Sequence, residues 1–415
     1  MWRRRAIGVS TLVVAVTVDV VATWYLARAM GAANDLFPRW YGTRAWLLQG
    51  SSPYASSVDE GIRAAMGGAP GESLGAFVFG FVYPGYVALL LAPLALLPFQ
   101  VAATLWLLLA QGAIGAGALL AWRAHEFEIG TVPRSVVPAL LIALAFPASL
   151  ANLVFGQFAA LVYLALCAAW WLLLRHHDWR SGAVLALATV KPSLALVPVL
   201  ALLAHAAGHR RWRVLAGWIA VSFGLLGASL ALLPAWPEPF WRSTMAYARV
   251  ARALSASGLV ASLITSANRP AEAALTVAVS TLAVGIVAWG WVRSPHQPGD
   301  ALSAGIVAGA WIVPPLYEWN SLLLLIPLTA WLCERSMERS RPLVTSLVVA
   351  SVASLLPILL WPYASRLLWP SAILAGWALR AAYRGLQNVT ERTGTSPSLP
   401  AGTYAARSAS STSAM

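Results

Sequence analysis

Lys191 is the only lysine in the chain, and it lies inside the apolar stretch from Gly182 to Ala204, where a charge is least expected. A cation left unpaired at membrane depth costs at least about 2.5 kcal/mol, so this one needs a counter-charge or a route to water. A phosphate or an acidic side chain is the partner its chemistry calls for. Pro192 comes directly after it and must break the helical run, which leaves two half-helices meeting at a turn whose tip presents the ammonium to a buried polar pocket. Asp35 offers the complementary chemistry. A carboxylate just beyond the first apolar segment can meet a substrate at the water boundary, where a general base needs hydrogen-bond reach. The alternative is that Asp35 caps a short helix beginning near Pro38, since aspartate is a favoured N-cap.

Other polar groups interrupt apolar runs. Gln157, after Gly156, opens a segment at whose start it could donate to a phosphate or a sugar, and helix N-termini attract anions in any case. Glu318 and Asn320 break the region Pro314-Pro315-Leu316-Tyr317-Glu318-Trp319-Asn320, where they suit a sugar hydroxyl, a metal or unpaired backbone. Asp19, near the middle of the first span, reads as a structural pair or a protonated acid between helices. The histidines have no metal-ligand spacing, and His176, His177, His205 and His209 read as solvated loop residues. No acidic cluster in the loops calls for a divalent ion, so neither a metal nor a cofactor is expected. A P-loop, a dinucleotide-binding glycine fingerprint and a nucleophile elbow are all missing from the sequence, which removes nucleotide-driven transport.

The elements that position these residues can be read from composition. The 415 residues are 59% hydrophobic and 10% charged, against about 25% charged in soluble domains. This is the composition of an all-α integral membrane protein. Segments of about 18 or more apolar residues are candidate spans, and they fall at 6–30, 76–97, 101–122, 134–150, 156–174, the broken pair 182–190 and 193–204, 214–234, 271–292, 301–313, 321–333, 343–360 and 365–383. The net charge of +13 would suggest nucleic acid in a soluble protein. Here the arginines cluster in short loops at span ends, as the positive-inside rule expects, and nucleic acid is not a partner. Cys167 and Cys333 both fall inside spans and imply no disulfide framework. Residues 1–389 form one transmembrane domain, succeeded by a disordered, Ser/Thr/Ala/Pro-rich cytoplasmic tail at 390–415.

Placing basic loops inside puts 175–181, 205–213, 293–300 and 334–342 in the cytoplasm, so that 31–75, 151–157, the Lys191 tip, 235–270 and 314–320 collect on the outer face. That requires 182–204 to enter and leave by one side. It also requires one element between 76 and 150 to be partial, because two full crossings there would put Arg123 and Arg134 outside. Loops 31–75 and 235–270 mix arginines, aromatics and leucines, and are expected to lie along the membrane surface with their rings at headgroup depth.

Taken in order, these pieces resemble the polyprenyl-phosphate-dependent glycosyltransferases of the GT-C fold, and most closely glycosyltransferase family 87. The resemblance rests on Asn34-Asp35 with Tyr41, Arg44, Leu47-Leu48, Gly50 and Pro53-Tyr54 after it, and on Tyr83-Pro84 before a run ending Pro93-Leu94-Ala95-Leu96-Leu97-Pro98. Asn152, Gly156-Gln157, Gly182 and Ala186-Leu187-Ala188-Thr189-Val190-Lys191-Pro192 continue it, so it covers the first half of the chain. It departs at Gly85, where relatives often carry a second proline, and at Tyr317-Glu318-Trp319-Asn320. The resemblance implies a multi-pass bacterial plasma-membrane enzyme with an outward-facing site. It implies transfer of a hexose, mannose by expectation, from a polyprenyl-phosphate donor lipid to a lipid or glycan acceptor, with inversion. Asp35 would be the base and Lys191, with Gln157, would bind the donor phosphate. Asn34, Arg39, Arg44, Tyr54, Tyr83, Glu318 and Asn320 would contact substrate. Two other classes stay open at this level: a transporter or lipid flippase with Asp19 and Lys191 along its path, and a noncatalytic assembly subunit that kept the fold.

Overall fold

A computed structural model describes residues 2–31, 34–67, 80–130, 135–251, 264, 271, 274–282, 285, 297–312 and 318–329. Among these there is no strand. The helices are α1 (Trp2–Met30), α2 (Leu36–Gln49), α3 (Ser56–Ala65), α4 (Gly85–Ala95), α5 (Phe99–Glu128), α6 (Val137–Ala145), α7 (Pro147–Phe155), α8 (Ala159–Leu174), α9 (Asp178–Ala188), α10 (Pro192–Gly208), α11 (Trp212–Leu232), α12 (Pro237–Ala251) and α13 (Pro298–Ile312), then a 3₁₀ helix, Glu318–Leu324. Three of them, α1, α5 and α11, are long and apolar enough to cross a membrane. The protein is an all-α membrane protein. Where α1 and α11 show apolar side chains to the surroundings, such as Val18 at 62% and Phe223 at 68% exposure, lipid takes the place of a packed neighbour.

Between 76 and 150 the partial elements are now identified. In the described part of the span expected at 76–97, from residue 80 on, the helix runs over Gly85–Ala95, about 16 Å long and far short of a bilayer core. Among the described residues of that region only α5 is long and apolar enough to cross, and it carries Arg123 to the end of the bundle away from Asp35. The span expected at 134–150 is two short helices, α6 and α7, because Pro147 cannot continue α6 and Phe146 takes an extended conformation. The expected spans 343–360 and 365–383, Cys333 and the tail 390–415 lie outside the described residues, as do half of 271–292 and the later part of loop 235–270.

Small residues let the helices approach closely. At Gly182 on α9 a Cβ would strike the carbonyl of Val214 and come within 2.8 Å of the Trp218 nitrogen on α11, so the two backbones touch. Gly305 on α13 meets α10 in the same way, since a Cβ there would lie 2.8 Å from the Pro198 Cα. The end of the bundle holding α9's start is tied by Arg211, whose guanidinium pairs with Asp178 and donates to the Leu173 carbonyl at 2.7 Å. There too Glu128 accepts from Trp170 Nε1 at 2.8 Å and from the Gly299 amide at 2.9 Å, placing a carboxylate at the positive start of α13. These ties fix the starts of α9 and α13, so that their far ends converge.

Helix α2 presents a buried face to the bundle: Phe37 and Trp40 pack on Phe99 at the start of α5, Trp40 Nε1 donates to the Leu97 carbonyl at 3.1 Å and Arg44 to that of Ala95 at 2.8 Å. His205 is buried inside α10 and stacks on His209 with ring centroids 4.3 Å apart, so it is not a loop residue. Asp19 sits on an exposed face of α1.

Candidate active site

The start of α2 is docked on the end of α7. The Asp35 amide donates to the Phe155 carbonyl at 3.0 Å, and the Leu36 amide donates to Asn34 Oδ1 at 2.8 Å, closing an Asx turn. Gly156 ends α7 at φ +61°, and the Asn34 carboxamide occupies the space a Cβ would need. Any other residue there would be strained and would also expel Asn34. Trp106 Nε1 holds the Gly156 carbonyl at 2.9 Å. Asn34-Asp35 and Gly156-Gln157, far apart in sequence, are thus one interlocked corner.

Asp35 occupies the N-cap position of α2 but makes no capping hydrogen bond with its side chain. Its carboxylate instead accepts a hydrogen bond from Gln157 Nε2. At its other end the Gln157 carboxamide accepts from Lys191 Nζ at 2.8 Å. Lys191 is the residue before α10, with Pro192 as the first helical position, and joins α9 to α10 through Thr189-Val190. That is the broken pair anticipated from Pro192. Tyr86 steadies the turn by donating to the Thr189 carbonyl at 2.7 Å. The ammonium, in a residue only 8% exposed, donates a second bond to Asn320 Oδ1 at 2.8 Å. Asp35, Gln157, Lys191 and Asn320 therefore form a continuous chain from carboxylate to ammonium across four elements.

A second cation lies beside this chain. Arg39, buried, donates to the Tyr83 hydroxyl at 3.0 Å, and its guanidinium lies 4.5 Å from the Tyr83 ring centre and 5.6 Å from that of Phe158. Burial raises the Tyr83 hydroxyl above its ordinary range, Arg39 opposes this and Asp35 adds to it, so the phenol keeps its proton at neutral pH. Tyr54 donates to the Tyr83 carbonyl. Arg44 turns away from Asp35 to the last turn of α4, where it satisfies a free carbonyl and stacks on Trp40 at 5.4 Å. Glu318 opens the 3₁₀ helix, and its side chain lies outside the described set.

Several neighbours were not singled out as site residues. Asn152, fully buried one turn before Gly156, has both side-chain polar atoms without a hydrogen-bond partner among the described residues, as has the hydroxyl of Ser149. A buried, unpaired carboxamide is costly and was legible in the sequence only as a polar residue in an apolar run. The glycine at 85, a departure from the related pattern, has a local cause: a Cβ there would lie 2.6 Å from Trp236 Cγ, so the missing side chain admits the indole. Among the described residues no group of three or more histidines, cysteines or acids could hold a metal ion.

Compared with known proteins, residues 81–315 match the sequence model of glycosyltransferase family 87. The match contains Gln157 and Lys191, while Asp35 precedes it and Asn320 lies beyond it. No curated protein and no solved structure matches the chain.

Proposed function

The chain belongs to glycosyltransferase family 87, and from that premise we propose that it transfers a hexose, mannose by preference, from a polyprenyl-phosphate donor to a lipid or glycan acceptor at the outer face of the plasma membrane, with inversion. One observation carries the reading: a carboxylate and an ammonium meet through a single amide at one end of the bundle. Asp35 takes the proton of the acceptor hydroxyl as its oxygen attacks the anomeric carbon. The bond from that carbon to the phosphate oxygen breaks, and its electron pair stays with the polyprenyl phosphate, which leaves with one more negative charge than the donor carried. Lys191 stabilises that growing charge, and the nearby Arg39 adds to the field. A single displacement from the opposite face inverts the centre.

The other assignments rest on position. Asn34, Tyr83 and Asn320 stand closest to the reacting groups and contact the sugar. Tyr54 and Arg44 act at one remove, through Tyr83 and α4. Gln157 lies where the phosphate must arrive, and Glu318 flanks it from the 3₁₀ helix. The prenyl chain runs along the apolar helices, while α2, α3 and α12 roof the sugar.

The test is purified protein, a panel of polyprenyl-phosphate hexoses and mass detection of glycosylated acceptor lipids. Asp35→Asn is expected to lower transfer by about 10²- to 10⁴-fold while donor binding is kept. Wild-type turnover in that variant would remove Asp35 as the base.

A further inference from the structure

Gln157 spends its carboxamide at both ends, on Asp35 through Nε2 and on Lys191 through Oε1. These two bonds take one of its two amide hydrogens and one of the two acceptor sites on its oxygen. The second acceptor on Lys191, Asn320, is also neutral, and no ion pair joins Lys191 to a carboxylate among the described residues. An ammonium has three donors, so this arrangement leaves one for an incoming anion, with no carboxylate paired to it among the described residues. A carboxylate so close to a buried ammonium would otherwise pair with it directly, because their attraction is strong wherever water is excluded. Such a pair would silence both groups: the carboxylate would become a poorer proton acceptor and the ammonium a poorer phosphate ligand.

We propose that Gln157 is a positioning residue, a neutral strut that holds Asp35 and Lys191 in one site while keeping them from collapsing into an ion pair. The inference rests on the transferase reading and deepens it. Its local basis is the Gly156 corner, since the left-handed glycine and the Asn34 packed on it set where the Gln157 backbone begins. Glutamine is long enough to reach both partners, and as an amide it donates at one end and accepts at the other without adding charge.

The strut predicts a coupling that a packing role does not. In Gln157→Leu, which keeps the bulk and loses both hydrogen bonds, Asp35 captures Lys191. Affinity for a short-chain polyprenyl phosphate such as geranyl phosphate then falls roughly tenfold, and turnover falls roughly 10- to 100-fold as the reacting groups lose their placement. Adding Asp35→Asn removes the capturing carboxylate, so the double variant binds geranyl phosphate with wild-type affinity although its transfer stays at least as low as that of Asp35→Asn. Gln157→Glu, nearly isosteric, places a fixed negative charge on Lys191 and weakens phosphate binding whether or not Asp35 is present. Calorimetric titration of geranyl phosphate into wild type and these variants reads all of this without turnover. Restoration in the Leu/Asn double variant supports the strut. If wild type binds the lipid phosphate and the double variant stays as weak as Gln157→Leu, the strut is wrong and the transferase reading stands. Wild type that neither binds lipid phosphate nor transfers sugar overturns both.

Discussion

Two carboxylates between α1 and α4 have opposite hydrogen-bonding circumstances. Asp35 has a donor in Gln157. Asp59 on α3 has a buried Oδ1 without a hydrogen-bond partner among the described residues and lies close against Gly80. Burial raises its carboxyl from 3.8 to about 6, with Arg63 one turn on opposing the shift. An acid that titrates higher when folded binds its proton more tightly in the folded state. Its contribution to holding α3 in place is therefore full below about pH 4, fades as pH rises to about 6, and is gone above that. Hydrogen exchange of the α3 amides should accordingly quicken between about pH 4 and about pH 6 beyond the intrinsic chemical rate. Asp59→Asn should flatten that rise and leave α3 better protected at neutral pH, and an identical pH response in the variant would count against the argument. The sequence picked out Asp35 and Lys191 because each type was rare for its setting. It passed over Asp59 and met Asn152 only as part of the family pattern, since nothing in a linear string says that a helix acid or a helix amide will be buried without a partner among its neighbours.

Elements were legible where one residue forced a break and illegible where burial decided the outcome. Pro192 announced the α9–α10 turn, and Pro147 splits what the hydropathy of 134–150 presented as one span. The buried face of α2 was not legible because Trp40 and Arg44 find carbonyls on α4 and in the turn after it, which no local pattern encodes. The α9–α11 contact is the element on which the site depends most, since α9 delivers Lys191 and has only Gly182 and Gly217 to let it close on α11. Backbone cannot yield there as a side chain would. Gly182→Val should cost about 1–3 kcal/mol or more from overpacking and lower transfer as the Lys191 tip shifts, whereas Gly224→Val on α11, with nothing within 4 Å, should leave both nearly unchanged. Thermal unfolding in detergent compares the two. Equal midpoints for both variants would mean that the close approach does not hold the tip.

At the scale of the whole molecule, the chain's reversals sort its polar groups into two ends. Helix α8 starts beside Gln157 and ends beside His176-His177, and α9 returns from there to Lys191. Asp35, Tyr83, Gln157, Lys191 and Asn320 gather at one end, and Arg175, Asp178, Arg210 and Arg211 at the other. Because arginine-rich ends are retained on the cytoplasmic side, the site end should face outward. Ser52 and His177 are exposed at opposite ends and can report it, in a Cys333→Ser background that leaves only the buried Cys167. In intact cells a membrane-impermeant maleimide should label Ser52→Cys, and should label His177→Cys only after the membrane is opened. The reverse pattern would turn Asp35 and Lys191 towards the cytoplasm. Their chemistry would survive that result, but the donor's sugar would then have to be presented at the inner leaflet, and the proposed acceptor would have to be sought on that side.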